Sequence, residues 1–193
     1  MSDEEIIAGC RKGKRKYQEA LYNKYGGMLL GVCNRYLSAY ADAEDVFQEA
    51  FVKIFKNISS FKNQSEFSLQ KWMKRIMINT AINYIRARKK EKFAFDPDLS
   101  LEFISDEHNS AFFDELYEMI SADEILEIVQ NLPHGYRMVF NLYAMESCTH
   151  EEIADILDIS ANTSKTQLFK ARKKIIAAIQ HKLEAQMYVR KIV

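Results

Sequence analysis

Two sets of charged side chains dominate the chemistry available to this 193-residue chain. The first is acidic: Asp42, Glu44, Asp45 and Glu49 stand in the stretch DAEDVFQEAFVKIF, residues 42–55. The second is cationic: Lys165, Lys170, Arg172 and Lys173 are interleaved with Thr166, Gln167 and Phe169. Lysine and arginine bind phosphate, and threonine and glutamine can hydrogen-bond to base edges. Nucleic acid repels carboxylates, so the acidic stretch must meet something else. Enzyme chemistry finds little support. GCRKGKR, residues 9–15, has one residue too few between its glycines for a phosphate loop, and Arg15 stands where Ser or Thr would ligate magnesium. His150-Glu151-Glu152 lacks the second histidine of a zinc-hydrolase helix, and the four histidines are scattered. No catalytic residue, metal site or cofactor is expected.

The elements that must position these residues are helical. Only six glycines and two prolines interrupt the chain. Ser2-Asp-Glu-Glu5, Ser121-Ala-Asp-Glu124 and Thr149-His-Glu-Glu152 each match the capping box that opens a helix. Leu21, Tyr25, Met28, Leu29, Val32, Cys33 and Tyr36 recur at three- and four-residue spacing, which predicts a helix reaching about Leu37. In the acidic stretch Val46, Phe47, Ala50, Phe51, Ile54 and Phe55 form an apolar stripe, with Asp42 placed to cap its start. A polar loop over 59–68 carries Phe61 and Phe67. A long helix from about Leu69 to Lys90 follows, with Leu69, Trp72, Met73, Ile76, Thr80 and Tyr84 inward. Its opposite face bears Lys74, Arg75, Asn79, Asn83 and Arg86. Cations beside aromatics on which unstacked bases can rest describe a single-strand platform.

Charge divides the chain into three. Residues 1–92 carry a net +8, residues 93–132 hold no lysine or arginine and a net −11, and residues 133–193 carry +3. The expected fold class is all-α: a helical domain over 1–92, an acidic linker over 93–121, and a second small helical domain over 122–193. Pro133 falls at a plausible first helical position. In the second domain Ile153, Ala154 and Leu157, a turn at Asp158-Ile159-Ser160, and Leu168 and Ala171 outline a helix-turn-helix. Its second helix would face a major groove with Lys165, Thr166, Gln167, Phe169, Lys170, Arg172 and Lys173 outward. Asp158 stands where many such turns use glycine for positive φ, a conformation Asp tolerates. No apolar run approaches the roughly 20 residues needed to span a bilayer. The start of the chain lacks signal-peptide order, and the cysteines Cys10, Cys33 and Cys148 form no CxxC pair. A cytoplasmic protein with no membrane insertion is expected.

Taken in order, DAEDVFQEAFVKIF, WMKRIMINTAINYIRARKK, LPHGYRMVFNLYAMESCTHEEIADIL and ISANTSKTQLFKARKKI resemble a bacterial RNA polymerase sigma factor of the small extracytoplasmic-function group, which keeps regions 2 and 4. The resemblance spans about residues 5 to 180. It implies that Asp45, Gln48 and Glu49 dock on core RNA polymerase. It implies that Phe61, Phe67, Trp72, Lys74, Arg75, Asn79 and Arg86 belong to the surface that captures the melted −10 element. It implies that Lys165, Thr166, Gln167, Phe169, Lys170 and Arg172 lie on the helix that reads the −35 duplex. The partners implied are core polymerase, promoter DNA and an anti-sigma factor. Ser147 and Cys148 depart from the glycine and aromatic frequent in relatives, and Asn162 and Ser164 from their Gly and Val.

Two other readings account for parts of the sequence. A helix-turn-helix regulator acting without polymerase leaves the acidic stretch and the basic long helix unexplained. A sigma mimic that sequesters an anti-sigma factor has no need of Lys74, Arg75, Arg86, Lys165, Lys170 and Arg172.

Overall fold

The computed structural model describes residues 1–62, 68–88 and 120–192, with side chains up to residue 185. It divides into two compact units, Met1–Lys90 and Glu91–Val193. Among the described residues every regular element is helical. Phe67 and all of the acidic linker short of Ile120 lie outside the described residues.

Four helices build the first unit: α1 (Asp3–Arg11), α2 (Arg15–Tyr36), α3 (Tyr40–Asn57) and α4 (Ser68–Arg88). The Ser2 capping box forms as expected, with Glu5 N donating to Ser2 Oγ at 3.2 Å and Ser2 N to Glu5 Oε2 at 2.9 Å. Helix α1 ends in a tight turn in which Gly13 adopts φ 66°. Helix α3 starts earlier than the sequence predicts: Ala39 precedes its first turn, and Asp42 lies inside that turn rather than capping it. Its carboxylate is committed elsewhere, to Tyr84 and Arg88 of α4.

The apolar stripe of α3 is buried as Val46, Phe47, Ala50, Phe51 and Ile54, with Phe55 only half-buried. It meets Leu29, Val32, Cys33 and Tyr36 of α2 and Met73, Met77, Ala81 and Ile85 of α4 in the core of the unit. Full burial of each large side chain contributes about 1.5–3 kcal/mol. The inward face of α4 is rotated from the expected one. Leu69, Met73 and Thr80 are buried, but Trp72, Ile76 and Tyr84 are half-buried, and Met77, Ile78, Ala81, Ile82 and Ile85 complete the core. The polar residues between the apolar ones made the stripe hard to phase.

The second unit contains α5 (Ala122–Gln130), α6 (His134–Phe140, continued by a π-helical turn over Asn141–Met145), α7 (His150–Leu157) and α8 (Ala161–Ile192). Both expected capping boxes form, at Ser121 and Thr149. Pro133 stands just before the first helical residue of α6 rather than at it, and makes no capping hydrogen bond. Helix α6 packs on α8, and α7 packs on α8 across a turn. Asp158 in that turn has φ 55° and ψ 52°, the left-handed conformation anticipated for it. Ile153, Leu157, Leu168, Ala171, Ile175 and Ile179 form the seam, with Met138, Val139 and Leu142 behind it.

Candidate nucleic-acid interface

Three surfaces emerge from the candidate residues. On α3, Asp45, Gln48 and Glu49 are all exposed. At 3.6 residues per turn they lie within about 100° of one another, an arc that also takes in Val52, which is 51% exposed. Glu49 is held by Lys53 at 2.7 Å, and Lys53 Nζ also donates to Thr80 Oγ1 at 3.3 Å, tying this face to α4. Asp42 leaves the exposed acidic group: its Oδ1 accepts from Tyr84 Oη at 2.7 Å and from Arg88 Nη1 at 2.7 Å. Burial, and then the Asp42 hydrogen bond, push the Tyr84 phenol up to about 12. The face therefore offers two outward carboxylates, an amide and a valine. This composition suits a protein partner better than phosphate.

On α4, Arg75, Asn79, Asn83 and Arg86 are exposed and share one side of the helix. Lys74 is half-buried and sits off this arc. Trp72 is half-buried at its edge. Phe61, expected among the base-stacking aromatics, is only 6% exposed. It packs under Trp72 with ring centroids 4.9 Å apart, and its carbonyl accepts from Arg11. Phe61 thus supports the surface instead of forming it. Trp72 is the aromatic that an unstacked base could reach.

On α8, Ser160 Oγ accepts from Thr163 N at 2.9 Å and so caps the start of the helix. Lys165 and Phe169 are exposed, and Thr166 and Lys170 are half-buried on the same arc. Phe169 remains 36% exposed despite its size. Gln167 corrects the sequence reading. It is buried, and an added Cβ on Gly135 would come within 3.0 Å of its Oε1, so Gln167 packs against α6 and faces away from the arc. One hundred degrees per residue puts position 167 on the seam side, where polarity had suggested the surface.

A support that the sequence did not reveal lies behind this arc. Tyr143 of the π-helical turn stacks on His150 with centroids 4.9 Å apart and planes 24° apart. Arg172 lies over the same Tyr143 ring at 5.6 Å, a cation–π contact. His150 Nδ1 is 2.9 Å from Oγ of the fully buried Ser164. Arg172, half-buried at the border of the arc, is therefore oriented by a residue far from it in sequence. Positions 143 and 150 are seven apart, a helical spacing, but the chain breaks between them at Ser147, whose φ is 55°, so the periodicity did not reveal the pair.

Two stretches of the chain match known families. The model of Sigma-70 region 2 matches residues 21–91, and that of Sigma-70, region 4 matches residues 122–175. The extracytoplasmic-function RNA polymerase sigma-E factor of Haemophilus influenzae is 27% identical over 190 residues, covering 93% of this chain and 96% of that protein. The sigma-E factor of Escherichia coli is 28% identical over 190 residues, covering 93% and 95%. Among solved structures, CnrH in complex with the cytosolic domain of CnrY superposes with a TM-score of 0.50 at 20% identity, over 93% of this chain and 97% of that one. The sigma factor RpoE of Bartonella quintana, in complex with the anti-sigma factor NepR, gives a TM-score of 0.51 at 18% identity, over 84% and 96%. These structural likenesses show a shared fold.

Proposed function

The chain belongs to the sigma-70 family, in its extracytoplasmic-function group, and on that premise we propose that it directs RNA polymerase to specific promoters and helps to melt them. The observation that carries this reading is the presence on one chain of an exposed acid-and-amide face on α3 and two cationic faces, on α4 and α8. Asp45, Gln48 and Glu49, extended by Val52, form the polymerase-docking face. Arg75, Asn79 and Arg86, with the edge of Trp72, hold the melted −10 strand. Lys165, Thr166, Phe169, Lys170 and Arg172 contact the −35 duplex.

Region 4 positions the complex through phosphate contacts, which release counterions and make binding strongly salt-dependent. Capture of unstacked bases on α4 then offsets strand separation, at a few kcal/mol per step by analogy with base-flipping proteins. The chain needs no catalytic group of its own for this work, because polymerase carries out the chemistry. It acts in the cytoplasm, where polymerase and promoter are found; among the described residues no helix is long and apolar enough to cross a membrane. The two structural neighbours are complexes with CnrY and with the anti-sigma factor NepR, which supports an anti-sigma partner here also.

Reconstitution with core polymerase and sequencing of the transcripts initiated on genomic DNA tests the reading. Start sites sharing one −35 and one −10 motif are expected. Failure to initiate specifically on any fragment, with retained binding to duplex DNA, would favour a regulator that works without polymerase.

A further inference from the structure

The cationic turn GCRKGKR, residues 9–15, has no part in the surfaces above, and it precedes the residues matched by the region 2 family model. Lys14 N donates to Gly9 O at 3.1 Å and Gly13 N to Cys10 O at 2.9 Å, the paired bonds that close a helix through a left-handed glycine. Five cations fall within residues 11–16 with no acid among them. Arg15 is paired with Glu19 at 2.8 Å. Lys12, Lys14 and Lys16 are exposed, and among the described residues none of them has a carboxylate partner.

Arg11 joins this turn to the α4 surface. Its Nη2 donates to the carbonyl of Phe61 and its Nε to that of Ile58 at 3.4 Å. Phe61 lies directly under Trp72, the aromatic at the edge of the α4 arc. Exposed Lys62 and Lys71 adjoin the two aromatics in sequence. Cations thus stand on both sides of the Arg11–Phe61–Trp72 link, in the turn before it and at Lys62, Lys71 and Arg75 around it. Like charges gathered this closely repel one another, and a surface needing only solubility would intersperse acids. A polyanion lying along them removes the repulsion. A cationic track beside a stacking aromatic is the pattern by which proteins hold single strands.

We infer that Lys12, Lys14 and Lys16 form a phosphate-binding site for the DNA strand whose bases reach Trp72, continuing the strand's path beyond α4. The inference rests on the proposed function, and the following experiment separates the two. A promoter identified by transcript sequencing is prepared with a mismatched, pre-opened −10 region. Its affinity for reconstituted holoenzyme is measured from low to high salt, with the unsubstituted chain and with the K12Q/K14Q/K16Q variant; core polymerase binding is measured in parallel. Each single-strand phosphate that no longer meets a cation reduces the slope of log affinity against log salt by about 0.7. The variant should therefore show a slope shallower by about 2, weaker binding at low salt, and unchanged affinity for core polymerase. Equal slopes and affinities for both chains would overturn the site. Loss of core polymerase binding with an unchanged slope would also overturn it, by making the turn a polymerase contact. If the unsubstituted holoenzyme failed to bind the opened promoter, the proposed function would fall, and the inference with it.

Discussion

The phenol of Tyr84 donates to Asp42 Oδ1 at 2.7 Å, fastening the first turn of α3 to the end of α4. Arg88 Nη1 reaches the same oxygen at 2.7 Å. The junction ties α3 to α4 beside their shared apolar core, so one carboxylate of the acidic stretch serves the fold. Tyr84→Phe should destabilise the first unit by about 1.5 kcal/mol, the low end for a hydrogen bond to a charged acceptor, since Tyr84 is only half-buried; denaturant unfolding measures it. The Arg88 pair is largely solvated, and Arg88→Ala should cost less.

The same junction predicts a pH dependence. The Tyr84 phenol titrates at about 12 in the folded chain because of burial and the hydrogen bond to Asp42, against about 10 in an unfolded one. Its stabilising contribution is therefore complete below about pH 10 and is lost as the pH rises toward 12, because the unfolded state gives up the proton first. Comparison of unfolding curves across that window should show a steeper loss for the unsubstituted chain than for Tyr84→Phe. Parallel curves would mean that the phenol titrates alike in both states.

Asp45 and Glu49 are exposed on the face of α3 proposed to dock on polymerase, so their loss should act on binding and not on folding. Asp45→Lys with Glu49→Lys should weaken core polymerase binding at least tenfold, about 1.4 kcal/mol, with helical content unchanged. Glu49→Lys also sets a like charge beside Lys53, whose ammonium bridges to Thr80. Glu49→Gln is therefore the control that removes the carboxylate without repulsion. Val52→Asp tests the apolar part of the same face. Retained affinity in all of these would make the face solvated surface.

Much of this arrangement was legible in the sequence. Capping boxes at Ser2, Ser121 and Thr149 are local, and each formed. The left-handed turn at Asp158 follows from the spacing of the two helices around it. Burial of long polar side chains was not legible, because it depends on what packs opposite. Gln167 is buried where it meets Gly135, 32 positions earlier in the chain. Arg137, on which the sequence reading was silent, is 2% exposed, and burial lowers its pKa. Phe61 looked like a ligand for bases because it is an aromatic beside cations, yet Trp72 covers it. In each case a tertiary neighbour outweighed the side chain's own preference.

Region 4 offers a separation of recognition from folding. Lys165 and Lys170 belong to the outward arc of α8, whereas Gln167 lies on the seam. Lys165→Ala and Lys170→Ala should each lower the salt slope of duplex binding by about 0.9, with little effect on stability. Gln167→Ala should do the reverse, leaving the salt slope alone and lowering the unfolding midpoint. A Gln167→Ala chain that folded normally but read a different −35 sequence would show that the side chain reaches the groove.

The stack of His150, Tyr143 and Arg172 allows the sharpest test of positioning. Tyr143 touches both partners, at 4.9 Å and 5.6 Å. Tyr143→Leu keeps an apolar filler but removes the ring face that attracts the Arg172 guanidinium, an attraction worth about 0.5–1 kcal/mol at a partly exposed site. An unguided arginine loses orientation but not charge. Duplex affinity should therefore fall about two- to fivefold, with no change in its salt slope, since the number of cations near the phosphates is unaltered. Arg172→Ala should lower both affinity and slope, and combining it with Tyr143→Leu should add nothing further if the ring acts only through the arginine. Additive losses in the double variant would mean that Tyr143 supports the recognition helix by packing alone.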